Sequence, residues 1–174
     1  SYNRVCLADK DAAVMAAEAL LKKQKKNILA IFGDTQMSIT KRRLRAFQET
    51  LQPDKKLKLS VEHAGTMEAA EAIAHRYFQL KQTPDAVFCM SDEILMGVMK
   101  CAQQLKLDIP KQTGVIALSD GFFPKIYFPD ITYVETSGYR LGKLACERMM
   151  QCVKGKEEPK ELFVSSRFVD GNSL

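Results

Sequence analysis

The hydrophobic positions of this chain fall into two alternating patterns. Short runs that are almost continuously apolar, such as 27–32 (NILAIF) and 114–118 (GVIAL), are typical of strands buried on both faces. Longer stretches with apolar residues three or four apart, such as 9–23, are typical of amphipathic helices. The two patterns predict strands at 27–32, 57–62, 85–90, 114–118, 131–134 and 162–168, and helices at 9–23, 40–51, 66–80, 91–106 and 137–153.

This alternation predicts an α/β fold in which a parallel sheet is covered on both faces by helices, a three-layer αβα arrangement. In open parallel sheets, ligands bind beyond the carboxyl ends of the strands. The residues directly after the predicted strands are therefore the first candidates for function. They are 34–38, 63–65, Ser91 with Asp92, and 119–121.

Composition narrows the class of protein. The chain has 174 residues, 46% of them hydrophobic, which is enough for one domain with a real core. Apolar runs stay shorter than the roughly 18–20 residues that cross a membrane. The formal net charge is +5, and the lysines at 22–26 and the cations at 41–45 contribute to it. Because no aromatic residues are interleaved with these cations, we interpret them as solvated helix ends and not as a nucleic-acid surface.

The cysteines indicate a reducing compartment. There are five of them, none in a C-x-x-C pair, and four lie in apolar segments, so we expect small buried side chains and not disulfides or a zinc site. The first ten residues also lack the basic start and apolar middle of a signal peptide. We therefore expect a cytoplasmic protein. The five positions are Cys6, Cys89, Cys101, Cys146 and Cys152.

Motifs for catalysis and cofactors are absent or misplaced. No G-x-G-x-x-G or G-x-S-x-G occurs, and GYRLGK at 138–143 has the wrong spacing for a P-loop and falls inside a predicted helix. His63 and His75 lack a second ligand at metal spacing. The acids Asp34, Asp92 and Asp120 leave acid–base chemistry as a minor alternative. We expect no enzyme activity, no cofactor and no metal.

The pair Ser91-Asp92 allows two interpretations. Ser91 is suited to cap the helix that follows it, and Asp92 in the first turn would interact favourably with the helix dipole. The pair also follows a strand, where a small polar molecule would bind. The residue chemistry alone leaves both interpretations open.

A wider resemblance favours the ligand. The stretch 84–120, PDAVFCMSDEILMGVMKCAQQLKLDIPKQTGVIALSD, resembles the LacI/GalR-type family of sugar-responsive regulators in the order and spacing of its small motifs. Similar matches are RLRAF at 43–47, FPDITYV at 128–134 and LGKLA at 141–145. The resemblance runs from about residue 5 to 168, and no single motif in it is specific.

The resemblance implies a division of the chain. Residues 24–119 and 160–168 would form the C-terminal lobe of an effector-binding core, and 1–23 and 120–153 would be elements between the lobes or returning to the other lobe. The family's helix-turn-helix head has no counterpart in this sequence. The implied function is to sense a small polar effector, a sugar or sugar derivative, in an interlobe cleft. DNA would be bound only through the head, and the protein would be a homodimer.

The resemblance also implies site residues. Arg43 matches the family's effector-binding arginine, whose fork of donors suits vicinal hydroxyls. Asp92, with Ser91 in place of the common Asn, matches a pair facing the cleft. Ser119 and Asp120 match two cleft aspartates.

Three further positions follow from the same resemblance. Asp11 matches an acid at the lobe junction, and Met96 and Tyr127 match the family's dimer interface. The family's stacking aromatic falls near Ala64, which cannot stack on a sugar.

Two other classes of protein stay open at this point. One is an exported periplasmic sugar-binding protein of a transport system, against which the five unpaired cysteines count. The other is a flavodoxin-like enzyme, against which the lack of a cofactor motif counts.

Overall fold

A computed structural model describes residues 2–155 and 159–174. Its elements alternate as the sequence predicts, with one additional strand at each end of the pattern. They are β1 (Arg4–Leu7), α1 (Asp9–Lys22), β2 (Asn27–Phe32), α2 (Ser38–Leu51), β3 (Lys58–His63), α3 (Met67–Phe78), β4 (Ala86–Cys89), α4 (Asp92–Gln104), β5 (Gly114–Ser119), a 3₁₀ helix (Phe123–Ile126), β6 (Thr132–Glu135), α5 (Gly138–Val153), β7 (Glu161–Val164) and β8 (Arg167–Val169).

The main sheet has six strands in the order β3-β2-β4-β5-β6-β8. Its first five strands are parallel, and β8 runs antiparallel to β6. From β2 the chain crosses to β3 at one side of the sheet, and from β3 it returns past β2 to β4 and then to β5. Because such crossovers are right-handed, the two directions place α2 on one face of the sheet and α3 and α4 on the other. Helix α1 packs against α2, and α3 packs against α4. The predicted three-layer α/β fold is confirmed.

The three central strands and α2 build the centre of the core. Phe88 of β4 lies between Phe47 of α2 and Phe32 of β2, with ring centroids 4.5 and 5.2 Å away. All three rings are completely buried. These strands are apolar along their whole length because helices cover both of their faces.

Helices α3 and α4 approach each other closely at one residue. A Cβ added to Gly97 would lie 2.2 Å from the carbonyl oxygen of Met67. Only glycine permits this spacing, so Gly97 fixes how α4 packs on α3.

A second, smaller sheet stands apart from the first. It consists of β1 and β7, which pair in parallel from Arg4 with Glu161 to Leu7 with Val164, and α5 packs against it. Here the structure differs from the sequence prediction of one strand at 162–168. The segment forms two strands separated by Ser165 and Ser166, and only β8 joins the main sheet.

The predicted division of the chain changes accordingly. The strand predicted at 131–134, assigned to the returning segment 120–153, lies in the main sheet as β6. Conversely, part of 160–168, assigned to the C-terminal lobe, lies in the small sheet as β7. An apolar pattern indicates that a segment forms a strand, but it does not show which strand lies beside it. For this reason the sequence did not predict the sheets to which β6 and β7 belong.

The cysteines are only partly as expected. All five are free; Cys89 and Cys101 are buried, Cys6 and Cys152 are half-buried, but Cys146 is exposed. Among the described residues, no helix combines the length and the hydrophobicity that a membrane crossing requires.

Candidate functional site

Two strand ends come together at the carboxyl edge of the main sheet, the edge at which its parallel strands finish. Cys89 of β4 pairs with Ala117 of β5. The residues that follow each strand therefore start side by side. They are Ser91 and Asp92 after β4, and Asp120 after Ser119, the last residue of β5.

Ser91 is the N-cap of α4. Its backbone is extended (φ −150°, ψ 166°), and its Oγ accepts a hydrogen bond from the backbone N–H of Ile94 at 3.4 Å. The capping interpretation is thus confirmed. Ser91 also remains partly exposed, so capping leaves it accessible at this edge.

Asp92 is the chemically unusual residue of the site. It is half-buried, and its Oδ2 accepts a hydrogen bond from the backbone N–H of Asp120 at 3.4 Å. Its Oδ1 is buried and has no hydrogen-bond partner among the described residues. Burial raises the pKa of Asp92, the nearby side chain of Ser119 and the backbone N–H of Asp120 oppose that rise, and the charge of Asp120 adds to it. An unpartnered buried oxygen costs free energy, and a ligand could satisfy it.

The turn after β5 holds Ser119 and Asp120 in place. Ser119 is almost fully buried, and its Oγ accepts a hydrogen bond from Gly121 N–H at 2.9 Å. Asp120 is exposed, and its Oδ1 accepts one from Phe122 N–H at 3.2 Å. Gly121 has a φ of +99°, and a Cβ there would lie 2.9 Å from the Tyr133 hydroxyl. The turn therefore requires glycine and presents Asp120 to solvent.

Arg43 lies in a buried ion pair. Its Nε and Nη2 both contact Asp9 Oδ1, at 3.2 and 2.9 Å, and its side chain is 7% exposed. The other oxygen of Asp9 receives Arg42 Nη2 at 3.0 Å. Burial lowers the pKa of Arg43, and the charge and hydrogen bond of Asp9 oppose that shift. A single carboxylate therefore anchors two arginines at the start of α1.

A contact through Met90 links this pair to the strand ends. Arg43 Nη1 lies 3.5 Å from the carbonyl oxygen of Met90, the residue directly before Ser91. Arg43 and the group formed by Asp92, Ser119 and Asp120 thus belong to one edge of the sheet.

Asp11 lies on the other side of the Asp9 pair. It is exposed and lines a concave region of about 850 Å³ between the small sheet and the starts of α1 and α2. Asp9, Ser38 and Arg42 also line this region, together with Phe163 of β7. The structure therefore places Asp11 in a concavity between the small sheet and the starts of α1 and α2, whereas Asp92 lies at the strand ends of the main sheet.

The residues predicted for the dimer interface lie next to an exposed apolar surface. Met96 on α4 and Tyr127 after the 3₁₀ helix are both half-buried, and the two helices are in contact. Burial raises the pKa of Tyr127, and nearby Cys89 and Asp92 add to the rise. Phe128, which the sequence did not single out for an interface, is 99% exposed.

A family comparison identifies the domain. The model of the periplasmic binding protein-like domain matches residues 17–174, nearly the whole chain. The chain belongs to this family.

Relatives of this periplasmic binding protein-like domain include regulators. The HTH-type transcriptional repressor PurR of Vibrio vulnificus is 26% identical over 157 residues, which is 88% of this chain and 47% of that protein. The chain thus spans about half the length of that relative. The resemblance to LacI/GalR-type regulators is confirmed at the level of their effector-binding domain.

Solved structures with the same fold include two sugar complexes. A LacI family regulator from Enterococcus faecium with bound ribose has a TM-score of 0.89 and is 16% identical in sequence. The match covers 98% of this chain and 64% of the regulator's chain. The complex of the regulator CelR with cellobiose has a TM-score of 0.87 and is 18% identical in sequence. The match covers 99% of this chain and 54% of the CelR chain.

Sequence reasoning missed Asp9 in this domain. The sequence pattern indicates only that the first predicted helix starts at Asp9, and the resemblance implies Asp11 as the acid at the lobe junction. In the structure Asp9 is buried and pairs with Arg43, whereas Asp11 is exposed. The adjacent cations Arg42 and Arg43 on an amphipathic helix were the available signal that a buried acid was needed.

Proposed function

We propose that this chain is the effector-sensing region of a LacI/GalR-type transcription regulator. It binds a small polar effector, a sugar or sugar derivative, at the carboxyl edge of the main sheet. The bound effector lies between the two units of the chain, one built around the main sheet and the other around the small sheet. Through that binding the chain controls a DNA-binding helix-turn-helix head. The observation that carries the proposal is the unpartnered Oδ1 of Asp92 among the polar ends of β4 and β5.

The polar groups at this edge suit a polyhydroxylated ligand. Asp92 Oδ1 is a free acceptor that a ligand hydroxyl can satisfy. The exposed carboxylate of Asp120 can accept a second hydroxyl, and the partly exposed Ser91 can contribute a hydroxyl of its own. Ser119 holds the turn that presents Asp120. Several acceptors close together favour a ligand with several hydroxyls over an anion.

Arg43 supplies donors to the same ligand. A guanidinium has five N–H groups, and the contacts with Asp9 and Met90 account for three of them. Asp9 fixes the plane of the guanidinium, so the remaining donors keep a constant direction. A guanidinium held in this way loses little conformational entropy when two of its N–H groups bind two neighbouring hydroxyls.

The coupling to DNA follows from the position of the site. Asp11 lines the concavity between the small sheet and the starts of α1 and α2, and Asp92 and Arg43 lie at the carboxyl edge of the main sheet. An effector that contacts both units stabilises one relative arrangement of them, and this changes the position of the head. We propose a homodimer through Met96 and Tyr127, acting in the cytoplasm without enzymatic activity or a cofactor.

Calorimetry on the natural full-length protein tests the proposal. A thermal-shift screen of mono- and disaccharides, with ribose and cellobiose among them, would first identify a ligand that raises the melting temperature. We expect Arg43→Ala to lower its affinity by at least about tenfold, as loss of charged hydrogen bonds predicts. Arg45→Ala is the matched control, since Arg45 is an exposed neighbour that forms an ion pair with the exposed Glu49.

A second variant guards against misfolding, because Arg43→Ala leaves Asp9 with one arginine fewer. Asp120→Asn changes an exposed carboxylate and should weaken binding while the circular dichroism spectrum stays unchanged. If both variants fold and bind the ligand as the wild type does, the proposed site is wrong.

A further inference from the structure

The amino edge of the main sheet, at which its parallel strands begin, carries a cluster of lysines, and among the described residues an ion pair engages only Lys26 of them. The cluster lies where three neighbouring strands, β3, β2 and β4, begin: Lys22 ends α1, Lys58 is the first residue of β3, and the others are in the loops before these strands. We define it as the lysine edge: Lys22, Lys23, Lys25, Lys26, Lys55, Lys56, Lys58 and Lys81. All of these side chains are exposed except Lys25, which is half-buried.

Hydrogen bonds donated by backbone N–H groups hold the three loops side by side. Lys58 N–H donates to the carbonyl oxygen of Lys26 at 2.7 Å, which joins the β3 loop to the β2 loop. Lys26 N–H and Asn27 N–H both donate to the carboxylate of Asp85, at 2.7 and 3.1 Å, which joins the β2 loop to the β4 loop. The lysines therefore form one surface rather than three separate groups.

The acids on this surface are already engaged. Asp54 pairs with Lys26 and accepts the N–H of Lys56, and both oxygens of Asp85 accept backbone N–H groups. Within residues 2–155 and 159–174, no ion pair involves the other lysines of the lysine edge. Asp130 and Asp170 precede β6 and follow β8, at the far side of the sheet. The cluster therefore keeps its positive charge.

The chemistry of the lysine edge favours a phosphate backbone over a protein partner. Its loops contain no arginine and no aromatic residue. The lack of aromatic residues argues against stacking on unpaired bases, as in a single-stranded nucleic acid, but not against contact with the phosphates of a duplex. Protein interfaces are depleted in lysine and centre on aromatic or apolar residues, whereas lysines that neutralise phosphates supply sequence-independent binding to nucleic acid. Base edges are read by an element that enters a groove, such as a helix or a two-stranded ribbon, whereas most of these lysines lie on loops.

We infer that the lysine edge binds the phosphate backbone of duplex DNA without sequence preference. The edge lies opposite the candidate ligand site, separated by the length of β2, roughly 20 Å for six residues. DNA bound there leaves the carboxyl edge open. This contact is separate from the one that the helix-turn-helix head would make, and it does not depend on the proposed effector.

Fluorescence anisotropy with a labelled duplex of random sequence tests the inference on the purified chain. We expect binding at about 20 mM salt that weakens steeply towards about 200 mM, as release of counterions requires. The triple variant Lys55→Gln, Lys56→Gln, Lys58→Gln should bind about tenfold more weakly and show a shallower dependence on salt. The control triple variant Lys10→Gln, Lys125→Gln, Lys143→Gln removes the same charge from exposed lysines elsewhere.

Three results would overturn the inference. They are no binding at the lowest salt, an equal loss in the control variant, or tighter binding to phosphatidylserine vesicles than to the duplex. Unchanged melting temperatures of both variants would show that the loss reflects charge and not unfolding.

Discussion

The two sheets of this molecule are built from similar patterns but packed very differently. In the main sheet, all four residues of β4 and all six of β5 are buried. In the small sheet, Val164 is the only buried residue of β7, and Arg148 is the only buried residue among the 16 of α5. Tyr139 and Val153 on α5 are about four-fifths exposed. An amphipathic pattern shows which face of a helix is apolar, but not whether the described chain covers it.

This difference predicts where the stability of the chain lies. Free energy from burial accumulates in the main sheet, where helices cover both faces. The small sheet and α5 bury little, and regions with few buried contacts open first. Equivalent substitutions should therefore have unequal effects in the two regions.

The largest effect is expected for truncation of the central aromatic cluster. Phe88→Ala leaves a cavity between Phe32 and Phe47 and should lower the free energy of unfolding by about 3–5 kcal/mol. Phe163→Ala in the small sheet, where the side chain is 60% exposed, should cost less than about 1 kcal/mol. Urea unfolding measures both, and similar losses would show that the small sheet is as well packed as the main one.

The next largest effect concerns the buried pair. Asp9→Ala leaves Arg43 buried without its carboxylate and should lower the free energy of unfolding by about 3 kcal/mol. The double variant Asp9→Leu, Arg43→Met removes both charges and should recover most of that loss. A double variant as unstable as Asp9→Ala would mean that the site depends on packing and not on charge.

A smaller effect, of opposite sign in the two regions, is expected for two glycines. Gly97→Ala forces α4 away from the Met67 carbonyl and should cost about 1–3 kcal/mol. Gly142→Ala in α5 meets no atom within 4 Å and should stabilise the chain by about 0.5–1 kcal/mol through helix propensity. Thermal unfolding compares them, and a shift of the same sign would contradict this difference in packing.

The smallest effect is a dependence on pH at the carboxyl edge. Because the pKa of Asp92 is raised in the folded state, folding favours its protonated form. The contribution of Asp92 to the free energy of unfolding is therefore present at low pH. It is lost as pH rises from the pKa of an unfolded aspartate, about 4, through the raised pKa of the folded state. Asp92→Asn cannot ionise and should not show this loss. The difference in melting temperature between the two proteins should grow across that window, and a constant difference would refute the shift.

Sequence patterns were sufficient to locate the five parallel strands of the main sheet and insufficient for β8 and for the small sheet. The strands at 27–32 and 114–118 were predictable because each is a continuous apolar run covered on both faces. The strand β1, only four residues long and mostly half-buried, gave no comparable signal. The change of sheet at Ser165 and Ser166 also has no local signature.

The candidate site shows the same limit. The position of Ser91 and Asp92 could be predicted, since strand ends and helix caps have local patterns. The partner of Arg43 could not, because Asp9 lies 34 residues away along the chain and such pairs form only in the folded protein. Likewise, the sequence indicates solvated helix ends for the lysines at 22–26, and it does not show that Lys55, Lys56, Lys58 and Lys81 lie beside them, since that proximity depends on the order of the strands.

Hydrogen–deuterium exchange of the natural full-length protein, with and without the sugar identified by the screen, tests the central claim most directly. The account predicts slower exchange in the segments 33–43, 90–95 and 119–122 and unchanged exchange along the lysine edge. Protection confined to other segments, or none at a saturating concentration of ligand, would contradict a ligand site at the carboxyl edge.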